Sequence, residues 1–231
     1  MTRTPRPAPL AVAIALAFLS ALSPLGPLAR ATAPAQAPAA APVHDQVWTF
    51  TATLDGKPIG THRFSLTGDE GAHVLVSDAR FDVKVLGLAV YHYDHHATEH
   101  WQGDCLASLV ARTDDGGQET AVKAEPQGDA LRIDGPAGDK TAPGCVMTYA
   151  YWNPALRHQT RLLNAGTGAV DAVQVSDAGA GMVAVAGHDV AATRWRIASP
   201  QGPVDVWTDA QGRWIGLDAQ VKGRRLSYRL P

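Results

Sequence analysis

The stretch "VWTFTATLDGKPIGTHRFSLT", Val47 to Thr67, decides how the chain is read. Trp48, Phe50, Ala52 and Leu54 fall on one side of an extended segment, and Thr49, Thr51 and Thr53 fall on the other. That period of two is the signature of a strand with one buried face. "LDGKPIG" supplies turn chemistry through its Asp-Gly pair, and "THRFSLT" then alternates again, so the segment reads as a hairpin.

Working outward, the same texture continues to the end of the chain. Further strand candidates are "HVLVSDARFDVKVL", "AVYHYDHHATEHW", "CLASLVART", "QETAVKAE", "DALRID", "VMTYAYW", "AVDAVQVS", "MVAVA", "DVAATRWRIA", "PVDVWTD", "RWIGLDAQV" and "RLSYRL". The separators "TGDEG", "TDDGG", "DGPAGD", "SDAGAG", "SPQG" and "DAQG" come at short intervals, which points to an antiparallel meander. One segment breaks the period. "WNPALRHQTRLLNAGTG" offers Asn153 as a cap, Pro154 at the first helical position, Leu156 and Leu163 at compatible spacing and Gly166 after the last turn, so a short helix is expected near 153–164. About a dozen strands in one domain must curl or stack, because long open edges invite aggregation. The expected fold is all-β: an antiparallel meander forming a closed or half-open barrel, a β-clam, with the helix across one mouth.

The chain of 231 residues divides into three regions. Residues 1–31 read as an export signal: Arg3 and Arg6 open it, "LAVAIALAFLSAL" is its apolar stretch, and "ARA" ending at Ala31 is a small-residue cleavage site. That stretch falls short of the roughly 20 apolar residues of a membrane span, so the mature chain is expected in the periplasm without a span. Residues 32–45 form an alanine- and proline-rich linker. Residues 46–231 are long enough for a single β-rich domain with a real core.

Formal charge is −2, from 20 basic and 22 acidic residues. Loss of residues 1–31 removes Arg3, Arg6 and Arg30 and no acids, leaving −5. A mildly acidic chain lacks the basic face that nucleic acid requires, so no nucleic-acid partner is expected. The basic run "KGRR", Lys222 to Arg225, reads as a hairpin turn. Cys105 and Cys145 are the only cysteines. They lack the C-x-x-C spacing of a redox or zinc pair and, in an oxidising compartment, are expected to form one disulfide.

"AVYHYDHHATEHWQGDCL", Ala89 to Leu106, carries four of the nine histidines within nine positions. Alternation puts His92, Asp94, His96, Thr98 and His100 on one face and Tyr91, Tyr93, His95, Ala97, Glu99 and Trp101 on the other. His92, Asp94 and His96 are the weak candidates for a metal site, since same-face neighbours two apart lie about 7 Å from one another; the alternative is a solvated face. His95 and Glu99 among aromatic neighbours would be half buried and would need polar partners, which makes each a candidate partner for the other. Trp195, Trp207 and Trp214 in successive C-terminal strands either line a cavity or fill the core. The chain contains no G-x-S-x-G elbow, no phosphate-binding G-x-x-x-x-G-K-[ST] loop and no H-E-x-x-H pair, so no catalytic residues and no cofactor are assigned.

Several phrases together resemble one family: "LDGKPIGTHRFSL", "YHYDHHATEHW" followed by "GDCL", "RTDDGG", "YWNP", "LLNAGTG", "DVWTDAQGRW" and "GRRLSYRL". They are similar to an exported proteobacterial family known only as a domain of unknown function, akin to a broader group of periplasmic β-rich proteins. The likeness runs from about Trp48 to Leu230, and "YWNP" with "LLN" and "TG" is its most specific part. The resemblance implies export and β architecture and brings no reaction with it. It covers Tyr91, Tyr93, His95, Glu99 and Trp101, whereas His92, His96 and His100 fall where the family accepts other polar residues, which favours the solvated-face reading. It makes His95, Glu99, Tyr151, Trp152, Asn153 and Asn164 the candidate ligand-binding residues. The cysteines are less typical of the family.

The leading expectation is a non-enzymatic periplasmic binding module for an apolar or amphipathic ligand or a cell-envelope partner. The alternatives are an enzyme using His95 and Glu99 near Asn153, and a structural or assembly protein of the envelope.

Overall fold

The computed structural model describes residues 45–231 apart from Glu70 and Gly87. The expected export signal, residues 1–31, and all of the linker but Asp45 lie outside the described residues.

Eight strands follow one another at the start: β1 (Gln46–Leu54), β2 (Lys57–Gly68), β3 (Ala72–Val85), β4 (Leu88–Gln102), β5 (Cys105–Asp115), β6 (Gln118–Gln127), β7 (Ala130–Asp134) and β8 (Lys140–Pro143). A long excursion then carries one 3₁₀ turn (Pro154–His158) and the short pair β9 (Arg161–Leu163) and β10 (Val170–Ala172). A second run completes the chain: β11 (Gln174–Val185), β12 (His188–Ala198), β13 (Val204–Thr208), β14 (Trp214–Val221) and β15 (Arg224–Arg229). The last strand pairs antiparallel with the first, which joins both runs into one 13-stranded sheet ordered β11-β12-β13-β14-β15-β1-β2-β3-β4-β5-β6-β7-β8. β8 and β11 are the two ends of this order and do not pair with each other, so the barrel is half open.

Alternation builds the interior as expected. Trp48, Phe50 and Ala52 are buried on β1 while Val47 and Thr49 face solvent, and Ala97, Glu99 and Trp101 are buried on β4 while His96 and His100 face out. In the β4–β5 ladder, His100 faces Ser108 and Trp101 faces Leu106. The extra residue, Ala107, makes a bulge that moves the inward set of β5 from Leu106 to Leu109, Ala111 and Thr113.

The concave side is filled largely by the excursion between β8 and β11. Val146, Met147, Ala150, Leu156, Leu162 and Leu163 share one core with Phe50, Leu75, Leu109, Ile133 and Trp214 of the sheet. The Cys105–Cys145 disulfide ties the start of this plug to β5, and the Leu106 N–H donates to the Val146 carbonyl at 2.8 Å beside it.

Three local expectations are corrected. "VMTYAYW" is no strand but a tightly turned part of the plug: the Ala150 N–H donates to Thr148 O at 2.7 Å and the Asn153 N–H to Ala150 O at 2.9 Å. It buries Val146, Met147 and Thr148 in succession and so has no dry and wet face to alternate between. The helix near 153–164 shrinks to the five residues of the 3₁₀ turn. Its expected second half is β9, because adjacent Leu162 and Leu163 are both fully buried and need ladder bonds to β10, with the Leu163 N–H also reaching Met147 O. "SDAGAG" separates no strands: it is a bulge inside β11 at Asp177–Ala180. The Asp177 carboxylate accepts from the Gly179 N–H at 2.7 Å and Gly179 takes φ +91°. The Arg194 guanidinium donates to Ala178 O at 2.8 Å. Gly181 lies so close to Trp207 that a Cβ there would come within 2.7 Å of the ring, so these glycines serve a kink and a close approach.

Candidate functional site

The plug leaves part of the concave side open as a cavity of about 690 Å³. One wall comes from β2, β3 and β4, through His62, Phe64, Leu75, Ser77, Tyr93, His95, Ala97 and Glu99. The plug supplies Thr148, Tyr149, Tyr151, Trp152 and Asn164. The third side is the turn Ser199–Pro203 with Val204, Trp214, the end of β14 from Ala219 to Val221 and Lys222 in the turn after it.

The aromatic rings brace one another. Tyr151 and Trp214 lie 5.4 Å apart, Trp101 and Trp152 meet edge to face at 5.5 Å, and Phe50 sits 4.4 Å from Trp214. Such packing fixes the rings in place and makes a preformed, largely apolar surface. Trp214 is thus both core and lining. Trp195 carries the Arg157 guanidinium 4.3 Å over its ring, and the Trp207 indole donates to Asp218 at 2.8 Å.

Three of the ionisable groups within are held by neighbours, whereas the Trp152 indole N–H has no partner among the described residues. His62 Nε2 lies 2.7 Å from Ser77 Oγ, and its Nδ1 lies 3.2 Å from the Tyr228 hydroxyl. His95 Nδ1 is 2.8 Å from Thr113 Oγ1. Glu99 Oε2 accepts from the Trp101 indole and from the Thr148 hydroxyl, each at 3.0 Å. Burial sets their charge. It drives His62 down to about 3 and, with adjacent His96 adding repulsion, His95 down to about 4. It lifts Glu99 to about 7 against the opposing pull of the Thr148 and Trp101 bonds, and Tyr93 to about 12. At neutral pH both imidazoles are therefore uncharged, and burial favours the protonated form of Glu99. Lys222 on the rim is the one lysine or arginine among the lining residues.

Five of the six candidate residues meet at this cavity: His95, Glu99, Tyr151, Trp152 and Asn164. Asn153 is elsewhere: its Oδ1 accepts from the Ala155 N–H to cap the 3₁₀ turn, and its Nδ2 donates to Asp104, both at 2.9 Å. His95 and Glu99 share the inward face, yet each bonds a different partner rather than the other. His62, Ser77, Thr148 and Tyr149 were not singled out by sequence. For His62 the signal was present, since "HRFSL" puts it in phase with Phe64 and Leu66.

His92, Asp94 and His96 point away from the cavity and are each paired across a ladder. His92 meets Asp114 at 3.0 Å, Asp94 meets Arg80 at 2.8 Å and His96 meets Asp78 at 2.6 Å. Among the described residues no group of three or more His, Cys, Asp or Glu is arranged to hold a metal ion. A hollow of about 810 Å³ follows this outer face, lined by interleaved Arg63, Asp78, Arg80, Asp94, Arg112, Asp114 and Glu119. Its charges alternate in sign and cross-link neighbouring strands, as on a solvated sheet face.

Comparison with known proteins places the chain. Residues 50–231 match the family described as "Domain of unknown function (DUF6134)". The chain belongs to this family. The match takes in every strand from β2 to β15 and the whole lining of the cavity. A crystal structure described as a β-barrel-like protein of domain of unknown function DUF1849 from Brucella abortus is similar in fold, with a TM-score of 0.61 at 12% identity over 81% of this chain and 95% of that one. At that identity the likeness concerns the fold alone. None of the curated proteins compared is similar in sequence.

Proposed function

We propose that this protein is an exported, periplasmic binding module that holds one small apolar or amphipathic molecule in the cavity between sheet and plug. The observation carrying this reading is the cavity itself: about 690 Å³ walled by Phe64, Tyr93, Tyr151, Trp152 and Trp214, with both of its histidines uncharged. That volume lies within the range typical of small-molecule sites, which combine apolar walls with a few placed polar groups. Burial of a chain against such walls contributes roughly 25 cal/mol per Å² of apolar surface. Glu99, Thr148 and Asn164 inside and Lys222 at the rim offer polar contacts for a headgroup. Export is supported by the signal-like residues 1–31 and by the disulfide.

The enzymatic alternative draws less from the geometry. His95, Glu99 and Asn153 are committed to three separate sets of partners, and a base and its orienting carboxylate need to be within hydrogen-bond reach.

The reading is tested by titrating a fluorescent long-chain fatty acid into the protein and into Ala219→Trp, which fills the rim from a half-buried position. The expected result is saturable binding at one site, lost in the variant while its melting curve is kept. Equal binding by both proteins, or by neither, overturns it.

A further inference from the structure

We infer that the molecule held in the cavity carries an aliphatic ammonium group on an apolar chain, and that this group docks on Glu99 Oε1, at the end of the cavity away from Lys222. The inference rests on the proposed reading of the cavity as a binding site and adds which headgroup that site selects.

Glu99 is buried and lines the cavity from β4. Leu75 and Leu109 stand opposite it in the two adjoining ladders, and both are buried. Oε2 is taken up by the Trp101 indole and the Thr148 hydroxyl. Oε1 receives no hydrogen bond among the described residues, and no lysine, arginine or histidine pairs with it there. The sealed orphan atoms of this region are His73 Nδ1 and Trp152 Nε1; Oε1 is not one of them, so it opens on the cavity that Glu99 lines. A buried carboxyl with one oxygen free has room for a further donor, and a positively charged donor also supplies the counter-charge that the fold leaves out. Burial lifts Glu99 to about 7 because no positive group faces it to draw it down.

The rest of the cavity leaves that place to a cation from outside. His62 and His95 are uncharged at neutral pH and repel nothing. Lys222 stands with its ammonium 5.6 Å over the Tyr91 ring. Tyr91 and Glu99 lie on one face of β4, roughly 26 Å apart at about 3.3 Å per residue. The acid and the one lysine or arginine of the lining are therefore at opposite ends. Aromatic rings lead away from the acid: Trp152 meets Trp101 edge to face at 5.5 Å, Tyr151 and Trp214 are 5.4 Å apart, and Phe64 lies 4.9 Å from Trp214. Ring faces attract a cation without carrying net charge, and their bodies accept the chain behind it. A carboxylate headgroup meets the reverse situation. Glu99 repels it, so a fatty acid lies with its chain inward and its carboxylate toward Lys222. A neutral alcohol donates to Oε1 but brings no counter-charge.

The test is calorimetric titration of the full chain and of Glu99→Gln, at neutral pH, with decylamine, decan-1-ol, decanoate and spermidine. Decylamine is expected to saturate one site about tenfold more tightly than decan-1-ol, the gain of a hydrogen bond between charged groups. Glu99→Gln keeps the shape of the side chain and its acceptor, so it should bind decan-1-ol as the native protein does and lose the preference for the amine. Spermidine carries ammonium groups without an apolar chain and should bind far more weakly than decylamine. The inference is overturned if decylamine has no advantage over decan-1-ol or if its advantage survives in Glu99→Gln. It is equally overturned if spermidine matches decylamine, the sign of plain attraction to an acidic surface. Binding of decan-1-ol and decanoate with no preference for the amine removes this inference and leaves the cavity reading standing, whereas binding of none of the four removes both.

Discussion

Replacing Glu99 by Gln should change how stability depends on pH, with a sign that burial fixes in advance. Glu99 is 5% exposed, and burial raises it from 4.5 to about 7. Below pH 4.5 the folded and unfolded chains both hold the proton and Glu99 contributes no slope. Between 4.5 and 7 the unfolded chain releases it while the folded chain keeps it, so the native protein loses stability as pH rises. Above 7 that loss levels off at roughly 3 kcal/mol. Gln does not titrate and can still accept from Trp101 and Thr148. Urea denaturation at a series of pH values from 4 to 8.5 should therefore show the difference, variant minus native, rising by about that amount in favour of Gln and flattening above 7. His62 and His95 add an opposite slope to both proteins: their folded rings resist protonation down to about 3 and 4, so acidification below 6.5 destabilises both alike. Subtraction removes that part. A difference that is flat with pH, or that falls as pH rises, would refute the account of Glu99 as a carboxyl kept protonated by its surroundings.

Replacing Cys105 and Cys145 together by Ser opens a closed loop with a sequence separation of 40 and should cost about 4 kcal/mol in equilibrium denaturation; the reduced native protein should match the variant. Asn153→Ala removes the cap on Ala155 and leaves Asp104 without its amide donor, which should lower stability by about 1–3 kcal/mol. Because Asn153 stands outside the cavity, fatty-acid affinity should hold at temperatures where the variant is folded; a selective loss of binding would show that it belongs to the site after all.

The barrel was legible because most of its strands have one dry face. Trp48, Phe50 and Ala52, or Ala97, Glu99 and Trp101, announce an interior by period alone. Legibility ended where a segment has no single dry face. Residues 146–164 bury neighbours of both parities and bond to strands far away in sequence, so neither their course nor the brevity of the 3₁₀ turn follows from local pattern. "SDAGAG" has the composition of a turn, and only the Arg194 bond and the seat of Trp207 against Gly181 show it to be a kink in one strand. His95 and Glu99 could be found by asking which polar residues share the dry parity of β4, and the same question asked of β2 would have found His62. Asn153 drew attention through "YWNP", a phrase whose asparagine serves the backbone of the plug.

The central claim, that the space between plug and sheet holds an amphipathic molecule, is met most directly by native mass spectrometry of the protein recovered from cells under gentle conditions. The account predicts a species heavier than the polypeptide by one small organic molecule, released by organic solvent and missing from Ala219→Trp. A mass equal to the bare disulfide-bonded chain under gentle conditions, together with no uptake when lipid extract is added, would contradict it.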